Sequence, residues 1–80
     1  MKKLDLHAMH VEEAIEQVER FLDEAMFRRE AQVIIIHGHG TGRLKKAVRD
    51  YLATSLYVAH CRSGEIWEGG DGATVVTMKE

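Results

Sequence analysis

Proline is absent from this chain, and cysteine occurs once, at Cys61. A lone cysteine excludes an internal disulfide and a cysteine-based zinc site, and it fits a reducing, cytoplasmic compartment. The missing proline suits short elements joined by glycine turns. Long apolar runs are missing too. The opening KKLDLHAMH holds no stretch long enough for a signal peptide. No segment could span a bilayer, so no membrane partner is expected. A large net charge is also lacking: 11 bases against 13 acids leave −2, which excludes a polycation. With 80 residues and 6% aromatics, the chain is expected to form one small domain over residues 1–80, with little apolar material to spare.

The most informative absence is local. No acid occurs between His37 and Arg49, although the stretch VIIIHGHGTGRLKKAVR reads as a strand, a glycine turn and a helix. Val33 to Ile36 is a β-branched run of the kind buried on both faces of a sheet. Leu44, Ala47, Val48, Tyr51 and Leu52 recur at helical spacing. The helix therefore opens with Arg43, Lys45 and Lys46 in its first turns. A helix N-terminus carries roughly +0.5 of a charge, so each exposed cation there costs about 0.3–1 kcal/mol. A bound anion would reverse that sign, and Gly38, Gly40 and Gly42 would let it approach the backbone. The alternative is a solvated basic face. Two phosphate motifs are excluded: Arg43 stands where GxGxxG counted from Gly38 needs its last glycine, and no Gly-Lys-Ser/Thr follows.

The remaining elements follow from periodicity. Leu4 to His7 alternates as a short strand, with Leu4 and Leu6 facing the core and Asp5 and His7 sharing the other face. Val11 to Arg29 has helical period, with Val11, Ala14, Ile15, Val18, Phe21, Leu22, Ala25 and Met26 on one stripe and acids opposite. That acidic face would repel a polyanion, so a nucleic acid must dock elsewhere. Leu56 to Cys61 and Ala73 to Met78 are the last two strands, separated by a loose glycine-rich stretch. Trp67 in that stretch is expected to cover the core; the alternative is an exposed stacking platform. His60 and Cys61, adjacent on a strand, point to opposite faces.

The order β-α-β-α-β-β predicts three strands of one polarity joined by helical crossovers, with the last strand antiparallel to its neighbour. The fold class is α/β (α+β): a two-layer sandwich with a mixed four-stranded sheet and two helices on one face. The other face is expected to stay partly open, as a surface for a second copy or a ligand. Shared polarity brings His7 and His37 to one edge of the sheet beside the glycine turn. The expected catalytic residues are Asp5, His7 and His37, because two imidazoles can act as acid and base near neutral pH. The expected nucleic-acid-binding residues are Gly38, His39, Gly40, Thr41, Gly42, Arg43, Lys45 and Lys46. This constellation suits phosphodiester cleavage, with Asp5 orienting a histidine or holding Mg²⁺ or another divalent cation.

Three blocks of the sequence also resemble the small MutS-related (Smr) domain family: LDLH at Leu4–His7, HGHGTGRLKKAV at His37–Val48, and GGDGATVV at Gly69–Val76. The middle block lies close to the family pattern HGxGTGxLxxxV. The resemblance implies a fold like the C-terminal domain of bacterial translation initiation factor three. It implies nucleic-acid binding and, for several members, nicking of DNA or cleavage of RNA. Family members stand alone or close larger MutS-like proteins that suppress recombination. The resemblance assigns cleavage to Asp5 and His7, and binding or catalysis to His37 through Gly42. One position departs from the family: Ala8 stands where glycine is usual after LDxH, and if that glycine adopts a positive φ, alanine is expected to shift the local turn and the position of His7. Two other readings stay open. One is a non-catalytic DNA- or RNA-binding module. The other is a protein-interaction module that forms a homodimer through the open sheet face.

Overall fold

The computed structural model describes residues 1–80. Its elements run β1 (Lys2–Asp5), α1 (Val11–Phe27), β2 (Gln32–Ile36), α2 (Arg43–Thr54), β3 (Val58–Ser63) and β4 (Ala73–Met78), with two short 3-10 turns at Ile66–Glu68 and Gly70–Gly72. The strands form one sheet in the order β1-β2-β4-β3. β1 lies parallel to β2, and β4 inserts antiparallel between β2 and β3. The first three strands therefore share one direction, as the helical crossovers require. A register shift between Val58 and His60 interrupts the β3–β4 ladder.

The helices pack on each other and on one face of the sheet. Ala14, Val18, Leu22 and Ala25 of α1 and Val48 and Leu52 of α2 meet Val33, Ile35, Val76 and Met78 in one cluster with Leu6. Every member of this core is aliphatic or methionine. Burying such side chains contributes roughly 1.5–3 kcal/mol for each of the larger ones. Partners across a ladder share a face, so the registers place Lys3, Ile34, Val75 and Arg62 in one row on the face away from the helices. That face was expected to stay partly open. Its centre, formed by Ile34, Ala73 and Val75, is instead buried in a small cluster of its own, flanked by Ile36. No helix is long and apolar enough to cross a membrane.

Trp67 does not cover the core: it is 81% exposed. The aliphatic cluster closes without it. Three boundaries also differ from expectation: β1 spans Lys2–Asp5, so His7 lies in the turn after the strand rather than on it. Leu56 and Tyr57 are exposed ahead of β3 rather than part of it. α1 ends at Phe27, with Arg28 as its C-cap and Arg29 at φ 57.

Candidate nucleic-acid interface

Two strand-to-helix turns meet at one edge of the sheet. In the first, Leu6 N–H extends the pairing by donating to the Ile36 carbonyl at 2.6 Å. Met9 N–H then donates to the Leu6 carbonyl at 3.0 Å, closing a four-residue turn with Ala8 as its third residue. Ala8 sits at φ 66, the left-handed region in which such turns favour glycine. The alanine therefore keeps the turn and bears about 1–2 kcal/mol of strain. Asp5 Oδ1 accepts from His7 N–H at 3.0 Å and pairs with His7 Nδ1 at 2.7 Å. The side-chain bond from His7, and then its backbone N–H, hold the Asp5 carboxyl below the usual carboxylate range. A carboxylate only accepts, so Nδ1 carries the ring proton in this pair and Nε2 faces away from it. Both side chains are more than half exposed.

The second turn runs from His37 to Gly42. The Gly72 carbonyl accepts from His37 N–H at 3.0 Å and from Gly38 N–H at 2.9 Å, fastening the turn to the start of β4. Gly42, the N-cap of α2, adopts φ 86, and Thr41 Oγ1 accepts from Arg43 N–H at 3.3 Å. The turns touch: a Cβ on Gly38 would stand 3.5 Å from the Cβ of His7. On the other side, the His39 ring lies over Gly72, where an added Cβ would meet its Cε1 at 3.0 Å. Gly72 thus leaves the space that His39 fills.

His37 differs from His7. It is 4% exposed, and both ring nitrogens are engaged. The Gly38 carbonyl, 3.1 Å from Nδ1, can only accept, so Nδ1 donates. Nε2 then accepts from the Thr74 hydroxyl at 2.9 Å. Thr74 Oγ1 in turn accepts from Arg49 Nε at 2.9 Å, and Arg49 Nη2 donates to Ser63 Oγ at 3.2 Å. A continuous chain of donors runs from the Arg49 guanidinium to the Gly38 carbonyl. Burial pushes the His37 pKa down, outweighing the bond to Gly38, and the charges of Lys45 and Arg49 add to the fall. Burial thus favours the neutral ring, the form in which Nδ1 donates to Gly38 and Nε2 accepts from Thr74.

Between the turns lies a cleft of about 280 Å³, lined by Ala8 to Val11 and by His37 to Lys45. Both helices begin in it. α1 starts after His10 and α2 after Gly42, and neither N-cap residue supplies a side-chain cap. The positive end of α2, His10, His39, Arg43 and Lys45 therefore converge on one concavity, an electrostatic make-up suited to an anion, while Glu12 and Glu13 offset the start of α1. Lys45 lies 4.0 Å from Asp71, the outer limit of an ion pair. Lys46 was expected among these cations but is outside the lining, and it donates to Asp50 at 3.1 Å, one turn along α2. Asp5 and His7 stand beside the cleft rather than in its lining. Sequence reasoning missed His10, whose signal was its place just ahead of the helical stripe, and Thr74, which gave none; Arg49 was legible as a cation of the basic helix but not as a partner of Thr74.

No group of three or more His, Cys, Asp or Glu side chains is placed to hold a metal ion. Asp5 Oδ1 is already taken by two N–H donors.

Comparison with known proteins agrees with the fold. The Smr domain family model matches residues 4–79. The chain is 49% identical over 78 residues to the endonuclease MutS2 of Anaeromyxobacter sp. (strain Fw109-5), covering 98% of this chain and 10% of that protein. It is 44% identical over 77 residues to the endonuclease MutS2 of Bacillus velezensis, covering 96% of this chain and again 10% of the relative. The chain thus spans about a tenth of the length of these relatives. Among solved structures, the Smr domain of Thermus thermophilus MutS2 superposes with a TM-score of 0.97 at 34% identity, over 100% of both chains. YdaL, a stand-alone small MutS-related protein from Escherichia coli, superposes with a TM-score of 0.92 at 26% identity, over 98% of this chain and 64% of that one. The two-layer fold, the three sequence blocks and these matches agree: the chain belongs to the Smr domain family.

Proposed function

We propose that this domain seats a backbone phosphate of DNA or RNA in the cleft and cleaves a phosphodiester bond with the Asp5–His7 pair. One observation carries the reading. An exposed imidazole, oriented by a carboxylate at 2.7 Å, is held against the first glycine of a loop whose cleft gathers two helix N-termini. His7 Nε2 takes a proton from the attacking oxygen, a water or a ribose 2′-OH, as that oxygen bonds to phosphorus. The amides at the helix starts, with Arg43 and Lys45, stabilise the charge that gathers on the phosphoryl oxygens. His10 and His39, which line the cleft, are the imidazoles available to protonate the leaving oxygen. His37 is a positioning residue in this scheme. Its neutral ring holds the Gly38 carbonyl and thereby the loop. Contacts go to the backbone, so little base readout is expected from the cleft itself. In a longer MutS-like protein, such a domain would contribute the cutting step.

The test is incubation with supercoiled plasmid and with single-stranded RNA, with and without Mg²⁺. The wild type should cut at least one of them, and Asp5→Ala and His7→Ala should not. Equal background rates for all three would end the cleavage reading. One feature favours a second reading, in which the domain binds without cutting: the Asp5–His7 pair lies outside the cleft lining. Intact substrate together with binding that weakens steeply with salt selects it.

A further inference from the structure

Six large apolar side chains are exposed: Met1, Phe27, Leu56, Tyr57, Ile66 and Trp67. The topology divides them. Met1, Phe27, Leu56 and Tyr57 lie at the edge where β1, β2 and β3 begin. Ile66 and Trp67, 93% and 81% exposed, follow the end of β3 and precede the start of β4, at the edge that carries the cleft. A chain with one tryptophan leaves it in water at the sheet edge that carries the loop expected to meet nucleic acid.

The display is stiff. Glu65 and Glu68 form a reciprocal capping box around the turn that carries Trp67. Arg62 binds Glu68 through two nitrogens, at 2.8 and 3.2 Å. Glu68 is 11% exposed in that pair. Gly64 N–H is shared between the Gly70 and Ala73 carbonyls, and Gly70 N–H returns to the Glu65 carbonyl at 2.8 Å. The segment is continuous with the cleft, because Gly72 at its end receives the amides of His37 and Gly38 and supports the His39 ring. Of its acids, Glu68 is paired with Arg62 and Glu65 caps the turn, while Asp71 is 79% exposed at 4.0 Å from Lys45. A polyanion approaching along the cleft would meet an exposed aromatic face with the Arg62–Glu68 pair beside it in the chain.

We propose that Trp67 is a stacking platform for an unpaired nucleobase of the strand whose phosphate occupies the cleft. This rests on the phosphate-binding reading above and adds to it a preference for single-stranded or frayed nucleic acid. A rigid indole forfeits little side-chain freedom on binding, and stacking on an aromatic tolerates any base.

The lone tryptophan reports on itself. Its emission is followed while the protein is titrated with oligothymidylate, oligouridylate and an abasic oligonucleotide of equal length. Base-bearing strands should quench Trp67, and the abasic strand should bind without quenching. Trp67→Ala should weaken base-bearing strands by roughly 5- to 100-fold, leave abasic binding and the salt slope unchanged, and be largely rescued by Trp67→Tyr. Because the indole is exposed, these variants should keep the wild-type melting temperature. Strands that bind without quenching, and equally well to Trp67→Ala, would overturn the stacking proposal while leaving phosphate binding in place. Failure of every strand to bind would overturn both. An emission shift that follows protein concentration alone, with dimers in sedimentation, would assign the indole to a second copy and overturn it too.

Discussion

The two strand-to-helix turns of this domain are built alike and equipped oppositely. Each leaves a parallel strand, passes through a residue at positive φ and opens a helix whose N-cap gives no side-chain cap. Yet the first exposes its histidine against an aspartate and starts a helix with Glu12 and Glu13. The second buries its histidine and starts a helix with cations and no acid. On the proposed reading, the first turn moves a proton and the second holds an anion. Placing them side by side, with Gly38 against His7, yields a site that neither turn could make alone.

The largest expected effect tests the first turn. His7→Gln should lower cleavage by about 10²–10⁴-fold, the usual contribution of a positioned acid or base, with binding to the same strand intact by gel shift. Next comes the second turn. Replacing Arg43 and Lys45 together by alanine should weaken binding and flatten the dependence of log Kd on log salt by about one to two. Titration across salt concentrations at fixed pH checks it, and an unchanged slope would place the phosphate elsewhere.

The buried chain behind the second turn comes third. Thr74→Val leaves His37 Nε2 and Arg49 Nε without their shared partner and should cost about 1–3 kcal/mol in urea unfolding. Thr74→Ser should restore most of it. The same chain predicts a pH dependence. His37 has a folded pKa below its ordinary 6.5, so the unfolded chain binds more protons in that window. Stability is complete above 6.5 and falls as pH drops through that value towards the folded one. Asp5, also lowered, adds a second loss only in strong acid, below its ordinary 3.8. Urea midpoints that stay flat between about pH 7 and 5 would contradict a neutral buried ring. The smallest effect belongs to the first turn: Ala8→Gly should gain about 0.5–1 kcal/mol by relieving the positive φ.

Much of this was legible in the sequence. The helical stripes, β4 and the shared edge of the two turns followed from periodicity and crossover rules. The burial of His37 did not, for a physical reason. β2 is apolar on both faces, so no polar alternation marks which way the next side chain turns. Arg49 and Thr74 meet across 25 positions, and no local pattern encodes that contact. Trp67 was misjudged because the core was assumed to be short of material. Aliphatic side chains from both helices and three strands fill it without help.

The division of labour between the turns is tested most directly by steady-state kinetics of two variants on one cleavable substrate. His7→Ala should lower kcat and leave KM near the wild-type value, while the Arg43→Ala, Lys45→Ala double variant should raise KM with a much smaller fall in kcat. If both variants changed the same parameter to the same extent, or if His7→Ala cut at the wild-type rate, the account would be contradicted.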